Sequence, residues 1–223
     1  MFRVTEVVKH LLIINILAYL GSMLLGDPSV GTVNALVNEQ TTEFSSWGRY
    51  RLAMFFPTSD YFQPYQIVTH MFMHADLTHL FFNMFAVFMF APPLEMTWGP
   101  KRFLFYYLFT GFGALGLYLL VRYINMSTGT ESVYMENIPM LGASGAVFGI
   151  LLGYGMLFPE NRIQLLIPPI PLKAKYFVAI YAGIELFLGL GNFNTGVAHF
   201  AHLGGALFGL LLILYWRKFG SRL

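Results

Sequence analysis

Residues 142–158 read G-A-S-G-A-V-F-G-I-L-L-G-Y-G-M-L-F, an apolar segment with a serine near its start. Residues 201–216 read A-H-L-G-G-A-L-F-G-L-L-L-I-L-Y-W and carry a histidine near the start. A serine hydroxyl is tolerated in lipid because it bonds to a carbonyl of its own helix, whereas a histidine there is costly and indicates a functional site. Serine and histidine are the minimum set for nucleophilic hydrolysis, so Ser144 and His202 are candidates for catalysis.

The composition is that of a membrane protein. Of the 223 residues, 57% are hydrophobic and 11% are charged, whereas soluble domains carry about 25% charged residues. The chain has no cysteine, which excludes disulfides and thiolate metal ligands. The net charge of +2 and the absence of a basic run do not favour nucleic acid as a partner. We expect the lipid bilayer as the environment and no cofactor.

Six apolar segments are each near the roughly 20 residues that a bilayer requires. Glycine, proline and asparagine punctuate the breaks between them, as in W-G-P-K-R at 98–102. The pattern predicts an all-α membrane protein, with residues 1–223 forming a single domain, a bundle of six transmembrane helices. The expected spans are about 6–25, 77–95, 102–122, 141–159, 172–191 and 197–217.

The distribution of basic residues predicts the orientation of the chain. If the N-terminus is cytoplasmic, ten of the 13 lysines and arginines fall on the cytoplasmic side. We therefore expect a multi-pass protein with both termini in the cytoplasm, and we expect its membrane to be a bacterial plasma membrane. The cytoplasmic set is Arg3, Lys9, Lys101, Arg102, Arg162, Lys173, Lys175, Arg217, Lys218 and Arg222.

The long segment 26–65 is rich in aromatic residues, among them Trp47, Phe55 and Tyr61. A solvated linker would not carry so many, and aromatic side chains favour the headgroup level of a bilayer. The composition predicts a first loop that folds back and lies partly in the outer leaflet.

The second span begins with a polar group of side chains. His79 and Asn83 are four residues apart, so they share a helix face, and both can donate hydrogen bonds to a developing oxyanion. A polar contact between helices is the commoner explanation for such a pair taken on its own, and this alternative stays open. His70 and His74 lie nearby, but no glutamate completes an H-E-x-x-H pattern, so we expect no metal.

Small residues recur at intervals of four in the fourth and sixth spans. Gly145 follows Ser144, while Gly205 and Gly209 follow His202. Such faces let helix backbones approach closely, so these two helices are expected to pack tightly near Ser144 and His202. His199 lies three residues before His202 and competes for the role of base, although the adjacent glycines favour His202.

Taken together, these motifs resemble the rhomboid family of intramembrane serine proteases. The resemblance covers 64–217 and rests on H-A-D-L-T-H-L-F-F-N in the second span, G-A-S-G-A-V-F-G in the fourth and A-H-L-G-G-A-L-F-G in the sixth. It implies a six-span rhomboid-like bundle with a membrane-embedded first loop.

The resemblance also implies roles for individual residues. Ser144 would be the nucleophile and His202 the general base, because His202 and not His199 fits A-H-x-x-G-x-x-x-G. His79, Asn83 and the backbone N–H of Ser144 would form the oxyanion hole. His74 would support that hole from behind. Two further residues, Gly142 and Phe148, would support the site.

The chain departs from the family pattern at two places. Tyr65 and Gln66 stand where the family often has Trp-Arg, so the resemblance does not say what anchors the first loop. Phe148 stands where some members have tyrosine, so a ring can pack on His202 without a hydroxyl contact. With Glu185 on the fifth span, no acid is expected beside His202, and a Ser–His dyad is the economical arrangement.

The leading hypothesis is an intramembrane serine endopeptidase that cleaves the transmembrane segments of single-span membrane proteins. A catalytically inactive relative that binds membrane proteins is the alternative, although such relatives typically lack the serine or the histidine. A small transporter, with proton-relaying histidines and a functional Glu185, is a third possibility. Related halves would favour it, and the sequence has none.

Overall fold

The computed structural model describes residues 4–24, 33–37, 40–44, 47–164, 170–191 and 198–220. Among these residues, four helices are long and apolar enough to cross a bilayer: α1 (Glu6–Leu24), α4 (Leu77–Trp98), α5 (Pro100–Ser127) and α8 (His199–Phe219). Two shorter ones, α6 (Ser144–Leu157) and α7 (Ala174–Leu190), occupy the places of the fourth and fifth predicted spans. The mostly helical membrane fold is thus confirmed, while the count of six spans stays a prediction.

Short elements connect the long helices. The part of the first loop that is described holds a hairpin, β1 (Val33–Val37) with β2 (Gln40–Phe44), and the helix α2 (Trp47–Arg51). The short helix α3 (Gln66–Thr69) follows the loop. Single 3₁₀ segments form at His70–Phe72 and Val133–Asn137. A second hairpin, β3 (Arg162–Gln164) with β4 (Pro171–Lys173), precedes α7. Whether the first loop enters the membrane stays a prediction.

Helix α6 lies at the centre of the bundle and contacts α4, α5, α7 and α8. A Cβ atom placed on Gly205 of α8 would lie 1.8 Å from the carbonyl oxygen of Gly145, so the two backbones touch. This confirms the close approach of α6 and α8 predicted from their small residues. One turn further along α6, Gly149 faces the side chain of Thr110 on α5 instead.

The segment that leads into α6 is held by backbone hydrogen bonds. Met140 and Met54 exchange two N–H···O bonds of 2.8 Å, and the Gly142 N–H donates to the carbonyl of His70 at 2.9 Å. Gly142 has a φ of +129°, which disfavours any residue with a side chain. These constraints keep 141–143 out of the helix, so α6 begins at Ser144 and not at residue 141 as predicted.

Gln66 anchors the first loop. Its side chain is 1% exposed, and its amide nitrogen donates to the carbonyls of Arg51 and Tyr61 at 3.1 Å each. Its amide oxygen accepts from the N–H groups of Phe55 at 3.4 Å and Gln63 at 3.1 Å. One neutral side chain therefore ties four points of the loop together, which answers how the loop is held without the family's Trp-Arg pair.

At the opposite end of the bundle, Glu95 joins α4 to the start of α1. Its carboxylate is 4% exposed and accepts from the N–H groups of Val7 at 3.0 Å and Val8 at 2.9 Å, and from the Thr5 hydroxyl. The first N–H groups of a helix have no intrahelical partner, and a negative charge there is favourable. Glu95 therefore fixes where α1 begins and how it packs on α4.

Candidate active site

Ser144 is the first residue of α6. The helix begins with N–H groups that have no partner four residues back, and the Val147 N–H is the one that donates to Ala143. The positive end of the helix dipole therefore lies at the serine. The backbone around Ser144 can donate to a developing negative charge, which is what an oxyanion hole requires.

Phe148 lies one turn after Ser144 on the same helix face and stacks on His202. The two ring centroids are 4.2 Å apart and the ring planes are 9° apart. This confirms the expected packing of a ring on His202. Because residues four apart on a helix are neighbours, the stack holds the imidazole beside the face that carries Ser144.

His79 reaches the same place from α4. Asp76 accepts the His79 N–H at 2.8 Å and thereby starts α4 at Leu77. A Cβ atom on Gly142 would lie 2.9 Å from His79 Nε2 and 3.5 Å from the Ser144 hydroxyl oxygen, so both atoms surround one point. His79 Nδ1 accepts the Ala75 N–H at 3.4 Å, which leaves the proton on Nε2, the nitrogen that faces this point.

Asn83 lies one turn after His79 and is 6% exposed. Its amide donates to the His79 carbonyl at 3.1 Å, a bond within α4. The second N–H of the amide is available for another acceptor. Asn83 thus shares the face of His79, as predicted, and no interhelical hydrogen bond of its side chain is present among the described residues.

Two further histidines are buried beside α4. His74 is fully buried, with its ring centroid 5.1 Å from that of His79 in an edge-to-face arrangement. His70 Nδ1 contacts the Gln66 carbonyl at 2.8 Å. Burial lowers the pKa of His70 to about 4 and that of His74 to about 3. Both are therefore neutral at physiological pH, and His74 buttresses the ring of His79.

An acid lies beside His202, so the expectation that none does is wrong. Glu185 Oε2 on α7 is 3.1 Å from His202 Nδ1 and 2.7 Å from His199 Nδ1. The contact to His199 is a hydrogen bond, whereas His202 Nδ1 makes no hydrogen bond in spite of its closeness to Glu185. All three side chains are buried, at 4%, 7% and 8% exposure. The sequence alone did not show that α7 turns Glu185 toward the start of α8.

The structure thus gathers the predicted site residues at one end of the bundle. Helices α4, α6 and α8 all start there, and they bring His79, Ser144 and His202 together. Within the described residues, no hydrogen bond joins the Ser144 hydroxyl to His202 in this resting arrangement. Catalytic hydrogen bonds are often long without substrate and tighten when it binds. The described residues include no group of three His, Cys, Asp or Glu placed to hold a metal.

Comparison with known proteins assigns the region that contains these site residues to a family. The model of the Rhomboid domain matches residues 61–219. The matched region contains the serine, both histidines of α8 and the polar face of α4, and it begins just before Gln66. Helix α1 lies outside it.

Individual relatives are also named as rhomboid proteins. The chain is 33% identical over 149 residues to "Putative rhomboid protease YdcA" of Bacillus subtilis, covering 66% of this chain and 65% of that protein. It is 32% identical over 164 residues to "Rhomboid-like protein 11, chloroplastic" of Arabidopsis thaliana, covering 70% and 54%. It is 30% identical over 168 residues to "Rhomboid-like protease 3" of Toxoplasma gondii, covering 74% and 57%. The matches therefore span about half to two thirds of these relatives.

Proposed function

This chain belongs to the rhomboid family, and from that premise we propose that it is an intramembrane serine endopeptidase. The observation that carries the proposal is the stack of His202 on Phe148, one helical turn from Ser144. The stack supports His202 as the base that acts on Ser144, the first residue of a helix with a largely buried side. The substrates are single-span membrane proteins, and the reaction is hydrolysis of a peptide bond in their transmembrane segment.

The chemistry follows from the residue types. His202 Nε2 takes the proton of the Ser144 hydroxyl as the oxygen attacks the substrate carbonyl, and the imidazolium then returns a proton to the leaving amine. The acyl-enzyme is hydrolysed by a water activated by the same histidine. The transition state carries negative charge on the former carbonyl oxygen. His79 Nε2–H, the Asn83 amide and the Ser144 N–H are the donors for it.

The length of α6 supports a site below the membrane surface. Its 14 residues, at about 1.5 Å each, make roughly 21 Å, less than the roughly 30 Å hydrocarbon core of a bilayer. Arg217 near the end of α8 contacts the Met156 carbonyl, so the far end of α6 lies at the basic end of the bundle. With the basic end and both termini in the cytoplasm of a bacterial cell, Ser144 lies within the outer half of the bilayer.

The experiment that tests this proposal is labelling of the full chain in detergent with a fluorophosphonate probe, followed by cleavage of a single-span substrate in liposomes. We expect labelling and cleavage by the wild type and neither by Ser144→Ala. Ser127→Ala, at the exposed end of α5, is the matched control and keeps both. His202→Ala loses cleavage, whereas His199→Ala retains a substantial part of it.

The alternative function, a rhomboid-like protein that binds membrane proteins without cleaving them, gives a different result. A wild type that is not labelled, does not cleave, and still retains the single-span substrate in detergent contradicts the protease and favours the binder. Cleavage by Ser144→Ala at the wild-type rate contradicts the assignment of the nucleophile.

A further inference from the structure

We infer that Glu185 is a positioning residue for His202, so that the site works as a Ser144–His202–Glu185 arrangement and not as a dyad. The inference rests on the proposed protease function. The structural basis is the 3.1 Å approach of Glu185 Oε2 to His202 Nδ1 across the contact of α7 with α8.

The burial of Glu185 indicates that its contacts are important. Glu185 is 4% exposed in a helix that carries no other acid, and a carboxylate inside a membrane protein is costly unless it is paired. The start of α8 offers two favourable groups, His199 and the positive end of the helix dipole. Both groups favour a negative charge at this place, so the Glu185 carboxylate can interact with a positive charge that forms on a neighbouring ring.

The ring of His202 is held on two sides in a way that suits a general base. Phe148 fixes the plane of the ring, and Nδ1 faces α7, where it is buried without a hydrogen bond in this structure. The two ring nitrogens point in different directions. With Nδ1 turned toward Glu185, Nε2 is therefore turned away from α7 and is free to take the proton of Ser144.

The carboxylate acts when the proton moves. The Ser144 proton goes to His202 Nε2, Nδ1 keeps its own proton, and the ring becomes an imidazolium. Glu185 stays ionised, and its attraction to Nδ1–H grows as the ring becomes positive. A small shift of the carboxylate from His199 toward His202 would turn the 3.1 Å contact into a hydrogen bond. Glu185 thus fixes the tautomer and stabilises the charged base.

A purely structural role is the competing explanation, since Glu185 also holds α7 against α8 through His199. Glu185→Gln separates the two roles. The glutamine oxygen can still accept from His199 Nδ1, so the helix contact is kept and only the charge is lost. Glu185→Asp keeps the charge on a shorter side chain.

The test measures kcat and KM for a single-span substrate in liposomes, together with the thermal midpoint, for the full-length chain. We expect Glu185→Gln to lower kcat by about tenfold or more with little change in KM or in the midpoint, and Glu185→Asp to recover part of the loss. The loss persists when His199→Ala is the background.

Two results overturn the inference: an unchanged kcat in Glu185→Gln, or a loss that vanishes in the His199→Ala background. The first points to no role in the reaction, and the second to a role through His199. Failure of the protease function itself is recognised separately, because the wild type then neither reacts with fluorophosphonate nor cleaves the substrate.

Discussion

The Cβ position of Gly205 lies 1.8 Å from the carbonyl oxygen of Gly145, so no side chain separates α6 from α8 at the level of the site. Ser144 is the residue directly before Gly145 in α6. His202 lies three residues before Gly205 in α8, which is less than one helical turn. The separation of the serine and the histidine is therefore set by contact between two backbones.

We expect Gly205→Val to reduce stability by about 1–3 kcal/mol or more, because the new side chain meets backbone atoms that cannot move aside. Activity falls as well, since the two helices are pushed apart where the site lies. Thermal unfolding in detergent and fluorophosphonate labelling measure the two effects. Gly116→Ala on α5 is the matched control, because a Cβ there has no atom within 4 Å. Normal stability of Gly205→Val would contradict the backbone contact.

The oxyanion hole makes a kinetic prediction. Removing one donor, by His79→Ala or Asn83→Ala, lowers kcat by about 100- to 1000-fold, because the lost interaction exists mainly in the transition state. KM for a single-span substrate changes little. Phe82→Ala, on the exposed side of the same helix, is the control and keeps wild-type kcat. Full turnover by a variant that carries both His79→Ala and Asn83→Ala would favour the interpretation of the two residues as a structural contact.

Glu95 affects stability without affecting chemistry. In Glu95→Ala the N–H groups of Val7 and Val8 lose a charged acceptor, so we expect a loss of about 2–3 kcal/mol in unfolding free energy. At a temperature where the variant is folded, labelling of Ser144 should be normal, since Glu95 lies at the other end of α4. Glu6→Gln, an exposed acid in the first turn of α1, serves as the control. A folded but unlabelled variant would mean that the two ends are coupled.

The buried histidines predict that acid destabilises the fold. Burial holds the pKa of His70 at about 4 and that of His74 at about 3, below the roughly 6.5 of an unfolded chain. The contribution of the two histidines to the free energy of unfolding is therefore complete above pH 6.5. It is lost progressively as the pH falls toward these lower values. Each histidine adds a slope of up to about 1.4 kcal/mol per pH unit. Chemical unfolding at pH 7, 6 and 5 measures it.

His70→Gln is the matched variant for this pH dependence. It removes one titrating group, so its stability should vary less steeply between pH 7 and pH 5 than that of the wild type. A stability that is flat over this range in the wild type would show that the two rings are not neutral in the fold.

The sequence predicted what is local along the chain. The serine, the histidine and the glycines beside them lie within short motifs, and helix periodicity is enough to place them on shared faces. The close approach at Gly145 followed from the same small residues. The predicted helix ends were less accurate. The hydrogen bond from Gly142 to His70 and the capping of α4 by Asp76 set where two helices begin, and helix periodicity does not contain either of them.

Contacts between distant segments could not be predicted in the same way. Glu185 lies 14 residues before His199, and its position depends on the rotation of α7 about its axis, which an almost uniformly apolar helix does not encode. Gln66 is similar. Its amide, at the start of a four-residue helix, belongs to no periodic pattern, and its role appears only once the four backbone groups around it are known.

The hydrogen bonds by which Gln66 anchors the first loop affect how the protein responds to salt and to lipid charge. All four of its hydrogen bonds join neutral groups, whereas an arginine in such a place would bring a charge that responds to counterions and to lipid phosphates. Neutral bonds buried in a fold are screened very little by salt. The four contacts that Gln66 makes with residues 51–63 should therefore persist in dilute and concentrated salt alike, and beside zwitterionic as well as anionic lipids.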